Sequence, residues 1–167
     1  MDLQLKNKVA IVGGASMGIG FGIAQRLAVE GAQLVIFARR IEKLQAAADE
    51  LKNKYGVQVI PVAADIRNQD ESGRIVAAAI EHFGRLDVLV NNDGAPPLGA
   101  IDGFDDNTWQ KAIEQNLFSV IRMVRSALPH LRQSGGGSIL NISAISAIQP
   151  IAGFGLSVAS WSGLMGY

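Results

Sequence analysis

Cysteine is absent from the 167 residues, which excludes disulfides and thiolate zinc sites. Charge is scarce: Asp, Glu, Lys and Arg together make up 18% of the chain, below the usual quarter. The 15 basic and 15 acidic residues cancel, and the sequence pI is near 6.7. A nucleic-acid binder would show a basic excess or stripe, so that partner class is set aside. No apolar run approaches about 20 residues, which leaves no membrane span. Residues 1–8, MDLQLKNK, lack the apolar core of a signal peptide, and the composition gives no sign of secretion; a cytoplasmic location is expected. Histidine occurs twice, and His82 and His130 are isolated, so both read as surface residues rather than ligands. Asp102, Asp105 and Asp106 resemble a metal cluster by eye, but they precede a helix, where acids serve as caps and favour the dipole. No metal site is expected.

Two things are abundant. Apolar residues are 49% of the chain and the mean hydropathy is +0.22, so much of the surface needs covering, by a sheet buried on both faces or by a partner. Glycine is 19 of 167, an excess that asks where the backbone bends or approaches something closely. The length fits one domain, spanning residues 1–167, with a real core.

Along the chain, short apolar runs alternate with longer helical periods. Buried strands are predicted at 8–12, 34–37, 57–62, 87–90 and 138–142. Pro61 inside the third suits a sheet edge. Between them lie helical stretches. The first carries Ile19, Ile23 and Leu27 at every fourth residue and stops at Gly31. Others cover 41–54 and 69–83, and a long one starts near Asp105-Asp106, with Pro129 marking a kink or end. The chain closes inside a further helix from Leu156 onward. This βαβαβαβαβ order specifies an α/β fold of Rossmann type, a doubly wound parallel sheet whose ligands sit beyond the carboxyl ends of the strands.

Gly14, Gly18 and Gly20 join the first strand to the first helix, with Ser16, Met17 and Ile19 between them. Glycine lets the strand turn sharply and lets a pyrophosphate approach the backbone without meeting a Cβ. The phosphate then sits on free N–H groups at the positive end of the helix. A structural turn alone could also need such a trio, but its place between a buried strand and an amphipathic helix favours a dinucleotide site. The spacing G-x-x-x-G-x-G is not that of a P-loop. About 20 residues on, an NAD site would show an acid for the ribose 2′-hydroxyl. Here the second strand ends in Phe37-Ala38-Arg39-Arg40. Either the two arginines are solvated charges or they meet a 2′-phosphate. Their place at a helix start, where cations are disfavoured, supports the phosphate, and NADP(H) is expected over NAD(H).

Five segments in order now resemble the short-chain dehydrogenase/reductase family, closest to its 3-oxoacyl-carrier-protein-reductase-like members. Val12 to Gly20 matches the family loop T-G-x-x-x-G-x-G, with Gly13 for threonine. Asp65-Ile66 matches the pair that holds the adenine. Asn91-Asn92-Asp93-Gly94 matches N-N-A-G, with Asp93 for alanine. Trp109 through Asn116-Leu117 matches the helix bearing the structural and catalytic asparagine, and Gly137 to Ser143 matches the strand before the catalytic serine. The resemblance implies hydride transfer between nicotinamide and a small carbonyl or alcohol. In the family a tyrosine is the general acid/base, helped by a lysine four residues on, by a serine and by the asparagine. It assigns Gly14, Ser16, Met17, Gly18, Ile19, Gly20, Arg39, Arg40, Asp65, Ile66, Asn92 and Gly94 to the cofactor. Asn116, Ser143 and Ser157 are left as catalytic candidates.

The catalytic motif is degenerate. The family reads Y-x-A-S-K where this chain reads Ser157-Val158-Ala159-Ser160-Trp161, and Ala144 stands at the usual catalytic serine. A serine hydroxyl is far less acidic than a phenol and has no cation four residues away to help it. A carboxylate at Asp93 would repel phosphates unless it faces solvent or pairs with a neighbour. Three functions are therefore carried forward: an NADP(H)-dependent carbonyl/alcohol oxidoreductase, a catalytically impaired dinucleotide-binding protein or scaffold, and an inactive fragment. Family members continue for roughly a third more, so the sheet is expected to stop early, after its fifth strand and the start of the next helix. That strand would then be an unpaired apolar edge, and a homo-oligomer is expected.

Overall fold

The computed structural model describes residues 3–167. Five parallel strands form one sheet in the order β3-β2-β1-β4-β5. They are β1 (Val9–Gly13), β2 (Gln33–Ala38), β3 (Val59–Ala63), β4 (Val88–Asn91) and β5 (Ser138–Asn141). The doubly wound order expected from the sequence is the order observed. Pro61 lies on β3, an edge strand, where its missing N–H interrupts no ladder on the open side.

Every residue of β1 is buried because the sheet has a core on each face. Ala10, Val12, Leu34, Ile36, Val59 and Val90 point one way, onto the small residues of helix α1 (Gly18–Val29) and onto Leu44, Ala48 and Leu51 of α2 (Ile41–Tyr55). Val9, Ile11, Val35, Phe37, Val62 and Leu89 point the other way, onto Ile75, Val76 and Ala79 of α3 (Glu71–Phe83) and onto a long helical stretch further on. Alternation along strands that are apolar throughout thus feeds two cores, as a parallel sheet requires.

That stretch comprises α4 (Asp106–Ile113), a wide π-type turn at Glu114–Phe118, and α5 (Ser119–Gln133). Asp105 caps its start: the Thr108 backbone N–H donates to Asp105 Oδ1 at 2.8 Å. The last helix, α6 (Gly155–Gly166), packs against α4 and the π-turn.

Two sequence expectations are corrected. The most deeply buried residues of α1 are Gly20, Ala24 and Ala28; Ile23 and Leu27 pack against the same core from partly buried positions, but Ile19 is 67% exposed. Small residues win because the helix must lie close to the sheet and the glycine loop. Pro129 does not end its helix, which continues to Gln133. Met123, Ala127 and Leu131 are buried on both sides of it, and Pro129 and Arg125 lie on the exposed side. Burial outweighs the lost backbone bond, whose carbonyl partner can reach water.

Candidate functional site

The carboxyl ends of β1, β2, β3 and β4 open into one cleft. Its shape begins with the glycine loop. Gly14 has φ +60, a conformation that disfavours side chains, and a Cβ there would lie 2.8 Å from Asn92 Nδ2. A Cβ on Gly20 would lie 2.5 Å from the Gly14 carbonyl oxygen, so only glycine lets the first turn of α1 pack on the loop. Asn92 closes the arrangement from β4, its Nδ2 donating to the Gly13 carbonyl at 3.0 Å. No side chain caps the N-terminus of α1. Its orphan N–H groups and dipole suit an anion such as a pyrophosphate.

The outer part of the cleft is a cavity of about 210 Å³. Among the residues expected at a cofactor, Gly14, Ser16, Met17, Arg39, Arg40, Asp65, Ile66 and Gly94 line it. Gly18, Ile19 and Gly20 form the adjoining first turn of α1, and Asn92 lines a smaller cavity further in. Lining residues that were not assigned to the cofactor include Phe37, Arg67 and Gln115. Arg67 had a sequence signal, an unpaired charge two residues after Asp65. Gln115 had none, because its reach to the Gly94 carbonyl depends on the π-turn.

The charges in the cleft are unevenly committed. Arg67 grips Asp65 with both ends of its guanidinium, Nε donating to Oδ1 at 2.9 Å and Nη2 to Oδ2. Those bonds hold the Asp65 carboxyl below the usual carboxylate range, against the opposing effect of burial. Arg40 makes only a long contact, Nη2 to the Met17 sulfur at 3.6 Å, and Arg39 has no hydrogen bond or ion pair among the described residues. Asp93 accepts from the Gly94 N–H at 2.8 Å. Crowding by the cleft walls pushes its pKa up, a shift that this bond, Arg39 and Arg67 only partly offset.

The inner cavity, about 20 Å³, has room for about one water molecule. Asn91, Asn92, Asn116, Trp161 and Leu164 are among its walls. Asn116 is buried in the π-turn; its Nδ2 donates to Ser160 Oγ at 2.9 Å, and Ser160 Oγ donates to the Leu156 carbonyl at 2.7 Å. The asparagine is thus tied to α6. Ser157 is 1% exposed and its Oγ has no partner, whereas Ser143 is exposed on the loop after β5. The three catalytic candidates are not gathered around this cavity: only Asn116 faces it. Among the described residues no cluster of His, Asp or Glu is placed to hold a metal, and no helix is long and apolar enough to cross a membrane.

The chain as a whole finds counterparts in known proteins. Dehydrogenase/reductase SDR family member 4 of Caenorhabditis elegans is 35% identical over 165 residues, covering 96% of this chain and 64% of the relative. A granaticin polyketide synthase putative ketoacyl reductase of Streptomyces violaceoruber is 38% identical over 146 residues, covering 85% and 57%. Among solved structures, L-sorbose reductase from Gluconobacter frateurii, complexed with NADPH and L-sorbose, superimposes with a TM-score of 0.96 at 36% identity, over 99% of this chain and 63% of that one. The chain therefore spans less than two thirds of the length of each of these relatives. The family model for short chain dehydrogenase matches residues 8–167, and the chain belongs to that family of oxidoreductases, whose members bind NAD(P).

Proposed function

We propose that this chain supplies the NADP(H)-binding part of an oxidoreductase that interconverts a small carbonyl compound and its alcohol. The observation that carries the cofactor reading is the end of β2. Arg39 and Arg40 line the cleft there, and no acid stands in their place to receive a ribose 2′-hydroxyl. The residues fit the group: the uncapped α1 terminus and Gly14, Ser16, Met17, Gly18, Ile19 and Gly20 would hold the pyrophosphate, Asp65 and Ile66 the adenine, and Asn92 and Gly94 the adjoining wall. The nicotinamide, when bound, supplies or takes the hydride. The NADPH in the sorbose reductase complex and the ketoacyl reductase relative support the same reading.

A second reading, binding without turnover, is favoured by one observation. Ser157 is sealed in the protein with no partner for its hydroxyl, and Trp161, at the sequence position of the family's lysine, lines the inner cavity. Titration calorimetry with NADPH and NADH, followed by NADPH oxidation against a panel of aldehydes and ketones, separates the two. Tighter binding of NADPH than NADH, with turnover, is expected from the first reading. Binding with no turnover selects the second. Equal binding of the two cofactors, or none, overturns the NADP(H) assignment.

A further inference from the structure

Two acids line the outer cleft, and they differ in how they are held. Asp65 is consumed by Arg67. Asp93 has only the Gly94 N–H and makes no ion pair among the described residues, yet it lines both the outer and the inner cavity. Arg39 lines the same outer cavity and likewise makes no ion pair among the described residues. One carboxylate and one guanidinium, neither in an ion pair among the described residues, therefore line the same solvated cavity, where their charges are coupled.

We propose that Asp93 is a specificity-determining residue: its carboxylate opposes a phosphate carried on the ribose at Arg39 and so narrows the preference of the cleft for NADP(H) over NAD(H). This rests on the cofactor reading above. A phosphate dianion entering beside Arg39 comes into the field of Asp93, and Arg39 must then serve two anions. A ribose 2′-hydroxyl meets no such repulsion. Arg67 cannot compensate without releasing Asp65.

The test is titration calorimetry of the purified protein and its Asp93→Asn and Asp93→Ala variants with NADPH and NADH. Both variants should bind NADPH roughly five-fold more tightly, the size of one carboxylate acting on a dianion across a solvated cleft, and NADH should change by less than about two-fold. The gain should shrink at high salt and in an Arg39→Gln background, where the guanidinium that both anions share is gone. Equal gains with both cofactors, no gain with NADPH, or a gain indifferent to salt overturns the proposal and leaves the NADP(H) reading standing. If the wild type and both variants bind neither cofactor, the cofactor reading fails and this proposal with it.

Discussion

Asp87 holds two strands and a turn together with one carboxylate. Its Oδ2 accepts from the Val9 backbone N–H at 3.0 Å, joining the start of β1 to the start of β4, while Lys8 Nζ and the Arg85 guanidinium close on it at 3.2 and 2.6 Å. Burial pushes its pKa up, but the bonds from Arg85, Val9 and Lys8 outweigh burial, so the carboxyl titrates below its usual 3.8. A carboxyl with a depressed folded-state pKa stabilises the protein above its unfolded value, and that stability is lost as pH falls through the folded value. Asp87→Asn should therefore cost about 2 kcal/mol in urea unfolding at neutral pH, the scale of buried hydrogen bonds to a charged group. The difference from wild type should shrink as pH falls below the unfolded value and through the depressed folded value; a difference that does not shrink on acidification would refute the account. At the same scale, the departure at Gly13 has a structural partner. A Cβ there would lie 2.7 Å from the Phe37 ring and from the Asn92 carbonyl oxygen, so Phe37 occupies space that a threonine would need.

At the scale of elements, α6 carries the positions at which the chain departs from the resembled catalytic motif. It carries Ser157 and Trp161 and locks Asn116 through Ser160. It packs against α4 and the π-turn, with Leu156 and Leu164 buried. If the missing pair is the whole catalytic deficit, Ser157→Tyr with Trp161→Lys should raise NADPH-dependent carbonyl reduction by about 100-fold or more, the range of general acid–base catalysis. A double variant that folds, binds NADPH and shows no rise would place the deficit elsewhere, at Ala144 first. The long helix was legible from its apolar period, and the Asp105 cap from its position. The π-turn was not, because its residues show ordinary helical spacing. Packing of Asn116 against α6 sets it, and with it the direction in which Gln115 points.

At the scale of the molecule, the sheet leaves β5 as an edge. Only β4 pairs with it, and Leu140 is 45% exposed where Val90, its neighbour in register, is 1%. Ile145, Ile148 and Ile151 continue the apolar surface along the following loop. An open strand edge beside an uncovered apolar strip invites association of identical chains. The 167-residue chain should scatter light as an assembly, and Leu140→Lys, which places a charge on the edge, should shift it toward the monomer. A monomeric wild type at the same concentration would remove the argument.

The sequence by itself determined the family, the strand order, the glycine turn and the residue types that line the cleft, because these follow from local periodicity and from motifs whose spacing the backbone geometry imposes. The missing catalytic pair was also legible there as residue identity. Tertiary structure decided which hydroxyls reach a cavity, which arginine is bound to an acid and which is free, and that Gly20, Ala24 and Ala28 rather than Ile19 are buried on α1. Each of these depends on distances between segments far apart in the chain, such as Arg39 and Asp93 or Asn116 and Ser160, and only packing sets those distances.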